Sequence, residues 1–181
     1  MTGRADVVEG RTCHGCTLCC KLLSIEELEK PPLTWCAICD ARTGCKDYTH
    51  RPTECRDFYC GYLLDPALDE RWKPSSCKLV VSFEEHANAV VILVDPTRHD
   101  AWRKEPFHSQ IRQWALAAAP EQGQVVVWQG NTKIVVPPES EMDLGEIRPE
   151  RPARLPADRV APIAAGHRCD GVTPLSGGSG R

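Results

Sequence analysis

Four thiols stand within eight residues near the start of this chain: Cys13, Cys16, Cys19 and Cys20, in the stretch CHGCTLCC. Five more follow before residue 61, at Cys36, Cys39, Cys45, Cys55 and Cys60. Thiols crowded in this way make either a disulfide knot or a metal site. The spacing Cys-x-x-Cys lets one tight turn bring two thiolates onto a tetrahedral ion, and structural zinc sites are commonly built from two such pairs. Cys13/Cys16 is one pair and Cys36/Cys39 could be the second. Cys13, Cys16 and Cys19 also share the spacing that opens a bacterial ferredoxin loop, but its usual continuation into Cys-Pro is missing.

Cys19 and Cys20 are adjacent, and adjacent side chains in an extended chain point to opposite sides. The two sulfurs are therefore expected to serve different metal sites, or opposite faces of one polynuclear centre. Eight or nine clustered thiols also match two four-ligand sites better than one. The start of the chain lacks the apolar stretch of a secretory signal, and no apolar run approaches the ~20 residues of a membrane-spanning helix. The expectation is a soluble cytoplasmic protein, and in a reducing compartment such a pattern is read as metal-binding before disulfide-bonded. The odd total of 11 cysteines fits a full disulfide framework poorly.

Composition narrows the partners. A net charge of −3 with no block of like charge gives no electrostatic case for a nucleic-acid or membrane surface. No phosphate-cradling glycine loop, dinucleotide fingerprint or nucleophile elbow is present. The histidines have no catalytic pattern; His14 and His50 lie among the cysteines and are secondary ligand candidates. No catalytic residue is identified, and a protein without its own substrate pocket is favoured over an enzyme.

The elements that must position the thiols divide the 181 residues into three. Residues 1–76 form a cysteine-rich part with two short helical stretches. One is SIEELEK, with Ser24 and Glu27 as a capping box and Pro31 and Pro32 as a stop. The other runs from Pro66 to Trp72, with Asp65 as its cap. Residues 77–140 read β-β-α-β-β. CKLVVSF and NAVVILV form one hairpin across EEHA, and QVVVWQ and TKIVVP a second across Gly130-Asn131. Between them Phe107, Ile111, Trp114 and Ala118 mark an amphipathic helix. The sheet is expected to be antiparallel, with Trp114 and Trp128 in its core and Cys77 a buried thiol. Residues 141–181, which include Cys169 beside His167-Arg168, read as a disordered tail. The fold class is α+β. Because the first third looks poor in large apolar residues, metal is expected to act as its core; a structural zinc contributes roughly 10–16 kcal/mol of apparent binding energy.

CHGCTLCC, followed by WCAICDARTGCKDYTHRPTEC and CRDFYC, resembles the zinc- or iron-chelating domain family of YkgJ-type cysteine cluster proteins. The family pattern falls on Cys13, Cys16, Cys19 and Cys20, on Cys36, and on Cys45, Tyr48, Arg51, Pro52, Cys55, Phe58 and Cys60. The match covers about residues 13–62. Thr17 stands where a glycine is usual, Asp47 where a hydrophobic residue is usual, and Cys39 is an additional thiol. The resemblance implies chelation of zinc or iron, an iron–sulfur cluster included, and leaves any reaction open. Arg51 is expected to offset thiolate charge or donate hydrogen bonds to sulfur. The alternatives are a zinc-stabilised adaptor that offers its C-terminal sheet to a protein partner, and a thiol redox or metal-transfer protein.

Overall fold

The β-branched runs pair as their composition dictates. In this computed structural model, which describes residues 7–138 and the backbone of 142–146, β3 (Leu79–Glu84) and β4 (Ala89–Val94) form an antiparallel hairpin with Leu79 opposite Val94. Two two-residue strands precede them, β1 (Cys39–Asp40) and β2 (Gly44–Cys45). The EEHA link is a single 3-10 turn, closed by Asn88 at φ 45°, a left-handed position that asparagine tolerates. After β4 the chain runs through the amphipathic helix, Phe107–Ala118, and returns as β5 (Gln124–Gln129) beside β4.

That return corrects the antiparallel expectation. β5 is parallel to β4, with Ala89 opposite Gln124 and Val94 opposite Gln129. A helix inserted between neighbouring strands brings the chain back to the end from which it left, as a crossover does. β6 (Thr132–Val135) closes the second hairpin across Gly130, at φ 64°. A fifth strand, β7 (Met142–Glu146), pairs antiparallel with β6. The sheet is mixed, in the order β3-β4-β5-β6-β7. β7 falls inside the stretch expected to be disordered; the rest of that expectation, with Cys169 and His167, lies outside the described residues.

Four further helices are short: α1 (Leu18–Leu22), α2 (Thr53–Asp57), α3 (Gly61–Leu64) and α4 (Pro74–Cys77). The helix Phe107–Ala118 is then α5. SIEELEK does not form the expected helix. It keeps one 3-10 turn at Glu26–Leu28, and Ile25 and Lys30 bridge back to each other. Glu27 accepts from Thr53 N–H at 3.2 Å instead of closing a capping box. At Pro66–Trp72 only Glu70–Trp72 is helical, one 3-10 turn capped by Asp69, while Asp65 accepts from Ala67 N–H.

One hydrophobic core runs through the cysteine-rich part and the sheet alike. Leu18 and Leu22 of α1, Tyr62 and Leu63 of α3, Leu68 and Trp72 join Leu79, Val80, Ile92, Ile111, Val127 and Trp102. α1, α3 and α4 rest on β3, and α5 rests on β5. Trp72 meets Phe107 edge-on and Trp114 at a tilt, both at 4.9 Å. Trp128 is only half-buried. The first third therefore has apolar anchors of its own, each fully buried side chain contributing about 1.5–3 kcal/mol. The view that metal alone forms its core is corrected; the thiols sit on a wall that the hydrophobic effect already holds. Among the described residues no helix is long and apolar enough to cross a membrane.

Candidate metal centre

Local turns set the thiols in place. Cys16 N–H donates to the Cys13 carbonyl at 3.2 Å, closing a four-residue turn that Gly15 permits at φ 73°. Cys39 N–H donates to the Cys36 carbonyl at 3.0 Å, a second turn of the same length. Cys39 and Cys45 then face each other across the two-stranded ladder β1-β2. Directly paired residues of an antiparallel ladder share a face, with Cβ atoms about 4.5–5.5 Å apart. Gly44, at φ 103°, brings this hairpin against the backbone of Gly15. Cys36 N–H donates to the Cys20 carbonyl at 3.1 Å, which ties the second cysteine block to the end of the first. Cys55 lies in α2, which is pinned by the Glu26 N–H to Glu54 carboxylate bond at 2.7 Å.

These constraints gather four separated stretches around one cleft. Cys13, Cys16, Cys19 and Cys20 line it from the first block, Cys36 and Cys39 from the second turn, Cys45 from β2, and Cys55 from α2. It encloses about 880 Å³, counting the space open to solvent at its mouth. The ninth candidate, Cys60, lines a smaller adjoining hollow together with Cys13, Cys16 and Cys19. His14 lies at the cleft, whereas His50 is exposed and pairs with Asp47 at 2.8 Å. Cys77 is buried, its thiol 3.4 Å from the carbonyls of Trp72 and Leu79. All ten cysteines among the described residues are free thiols.

The thiols interact along a row. Cys19 hydrogen-bonds with Cys13 and with Cys20, and Cys20 also with Cys39. The bond from Cys19 lowers Cys13 to about 7 against the opposing effect of burial, with help from Arg51. The same donor lowers Cys20 to about 6, again against burial, with Cys39 and Lys30 assisting. Cys19, which gives these bonds, is raised well above the usual thiol range. Burial pushes Cys39 up to about 12 and Cys55 up to about 11, reinforced in each case by neighbouring sulfurs. Burial likewise raises Cys60 to about 12 and Cys77 to about 11.

Two cations answer this concentration of sulfur. Arg51 lines the cleft with its guanidinium 4.0 Å from the Tyr48 ring centre. Lys30 is buried, and its ammonium donates to the carbonyls of Leu23 and, at 3.1 Å, of Pro31. Burial lowers its pKa, while Cys36, Cys20 and Cys55 pull the other way. Arg51 was legible as a charge partner from its place before Pro52. Lys30 was not, since a lysine ahead of two prolines carries no such signal.

Among the described residues no three His, Cys, Asp or Glu side chains converge on a single point at ligand distance. The donor set still fits a thiophilic cation: soft sulfur donors from four stretches, two already inclined to ionise, and two cations to offset their charge. Compared with protein-family models, curated proteins and solved structures, the chain gives no match in any of the three.

Proposed function

We propose that this chain binds zinc or iron, an iron–sulfur cluster included, through the thiols of the cleft, as its resemblance to the YkgJ-type chelating family implies. The observation that carries the reading is the meeting of eight cysteines from four separated stretches on one cleft, with every thiol there free. Thiols gathered for covalent cross-linking would be paired; thiols gathered for a cation must be free and deprotonable. Cys13 and Cys20 offer thiolates first, and each further thiol gives up its proton as the cation takes that proton's place. Lys30 and Arg51 hold down the negative charge that results. A bound zinc would supply a structural clip across the four stretches, and iron with sulfide would supply one-electron chemistry.

The test is elemental analysis and an absorbance spectrum on protein purified without oxygen. Zinc or iron in whole-number proportion to protein, lost together in the Cys13→Ser/Cys16→Ser variant, is the expected result. Metal-free protein, or a double variant with unchanged metal content, would overturn the proposal. Brown protein with acid-labile sulfide would select the iron–sulfur form, and colourless zinc protein the structural one.

A further inference from the structure

Cys39 and Cys45 stand directly opposite each other in the ladder of β1 and β2. Beside them Lys46 N–H donates to the Ile38 carbonyl at 2.9 Å, which makes Ile38 and Lys46 a hydrogen-bonded pair of that ladder. Pairs alternate along an antiparallel ladder, so Cys39 and Cys45 are a non-hydrogen-bonded pair, whose Cα atoms lie about 4.5 Å apart with side chains close. A disulfide needs Cα atoms about 4.4–6.8 Å apart, so this pair can close with its backbone in place. The turn fixes the register from its other end. The Asp40 carboxylate accepts from the N–H groups of Arg42 at 2.8 Å and of Thr43 at 3.0 Å. Both thiols are free and partly exposed on the cleft, and Ala41, Arg42 and Thr43 between them are exposed. The adjacent thiols Cys19 and Cys20 lack this geometry, since Cα atoms joined by one peptide are about 3.8 Å apart. Cys20 hydrogen-bonds with Cys39, but no strand register sets the separation of those two backbones.

We propose that Cys39 and Cys45 are a redox-active dithiol, which closes to a cross-strand disulfide by exchange with glutathione disulfide and reopens when glutathione is in excess. The exchange balances. One thiol of the pair attacks a sulfur of glutathione disulfide; that S–S bond breaks, a protein–glutathione disulfide forms, and one glutathione leaves with the attacking thiol's proton. The second thiol then attacks the protein sulfur of the mixed disulfide, and the second glutathione leaves with its proton. Two cysteines have lost two electrons, which the two glutathione thiols carry away. Closure is easily reversed, for two reasons. The loop it closes is short, so the bridge constrains the unfolded chain little. The Cα separation is near the short limit for a disulfide, and bridges outside the relaxed geometry are the more readily reduced ones. Closure also takes two of the eight thiols from the cleft, so oxidation lowers its capacity for a cation. That consequence rests on the metal-binding reading above; the bridge itself rests on the ladder alone.

The experiment takes full-length protein purified without oxygen and equilibrates it in glutathione buffers with a rising share of glutathione disulfide. Remaining thiols are alkylated, and the chain is digested and mapped by mass spectrometry. Trypsin cuts after Lys21, Arg42 and Lys46, so the bridge is read as the peptide Leu22–Arg42 held to Thr43–Lys46. The expected result is that this joined peptide is the first to appear as the buffer becomes more oxidising, and that it is lost again in excess glutathione. Cys36→Ser should keep it and Cys39→Ser should lose it. A first bridge between Cys20 and Cys39 or between Cys13 and Cys19 overturns the inference, as does a Cys45 that stays free while other thiols pair. The mapping of the unmutated protein decides this even if a variant does not fold. Protein that carries no metal yet forms the joined peptide supports the inference and overturns the metal-binding reading instead.

Discussion

Replacing Lys21 by Met tests whether the cysteine block is anchored to the sheet by an ion pair. Lys21 follows Cys20 in α1, and its ammonium lies 2.6 Å from the Asp95 carboxylate just beyond β4. Their side chains are 12% and 9% exposed, so the pair is largely withdrawn from water. Asp95 also accepts from the Thr97 N–H at 3.0 Å and the Thr97 hydroxyl at 2.9 Å. Removing one partner of a buried pair costs about 3–5 kcal/mol, because the other charge is left without its counter-ion. The two Thr97 bonds survive in the variant, so the low end applies, about 3 kcal/mol. At roughly 2–4 °C per kcal/mol for a chain of this length, the melting temperature should fall by roughly 6–12 °C.

The pH dependence has a definite sign. Burial opposes ionisation of Asp95, but Lys21 and Thr97 outweigh it and hold the carboxyl below its ordinary value. A depressed carboxyl stabilises the fold above its unfolded value, about pH 4, and the contribution is lost as pH falls through the folded value. The gap between the parent and Lys21→Met is therefore widest at neutral pH and closes below about pH 4. Thermal melts of both proteins at equal metal load, across that range, make the measurement. Lys21→Met/Asp95→Leu should recover much of the loss, since no charge remains stranded. A loss under about 1 kcal/mol, no greater than that of an exposed pair, or a double variant no better than the single, would refute the argument.

Three further outcomes follow from the packing. Trp102 is completely buried, so Trp102→Ala should lower the unfolding free energy by about 3–5 kcal/mol in denaturant titration. A Cβ at Gly123 would stand 3.0 Å from the Ala118 Cβ and 3.2 Å from the Asn88 carbonyl, so Gly123→Ala should cost about 1–3 kcal/mol in the same assay. Removing metal by chelator should release amide-exchange protection in the Cys36–Cys55 stretch, while β3, β4 and β5 stay protected. Loss of protection across the sheet would mean that metal and not the shared core holds the first third together.

The sequence was most informative where a residue type has one physical use. The β-branched runs of β3, β4 and β5 and the spacing of Phe107, Ile111, Trp114 and Ala118 could be read directly, because apolar periodicity reports burial. The parallel pairing of β4 and β5 could not. It depends on where the chain re-enters the sheet after α5, and strand composition does not encode that. SIEELEK has the composition of a helix, yet Glu27 and Glu54 spend their carboxylates on the backbone of the other's segment. Local capping lost to a long-range contact that places α2 and Cys55 on the cleft.

The same contrast explains the thiols. That Cys13 to Cys60 would gather was legible from spacing, because Cys-x-x-Cys turns are local. That Cys60 would turn away from the cleft that the other eight share was not, because it faces Tyr62, Leu63 and Val80, apolar residues whose spacing says nothing about sulfur. Cys19 and Cys20 show where the two levels join. They are adjacent on α1, one turn of which cannot aim both side chains the same way. Cys19 reaches the smaller hollow as well as the cleft, and Cys20 the cleft alone. α1 buries Leu18 and Leu22 in the common core, and that burial fixes the rotation of the helix and hence the direction of each sulfur. The hydrophobic core thus decides which hollow each sulfur of α1 lines.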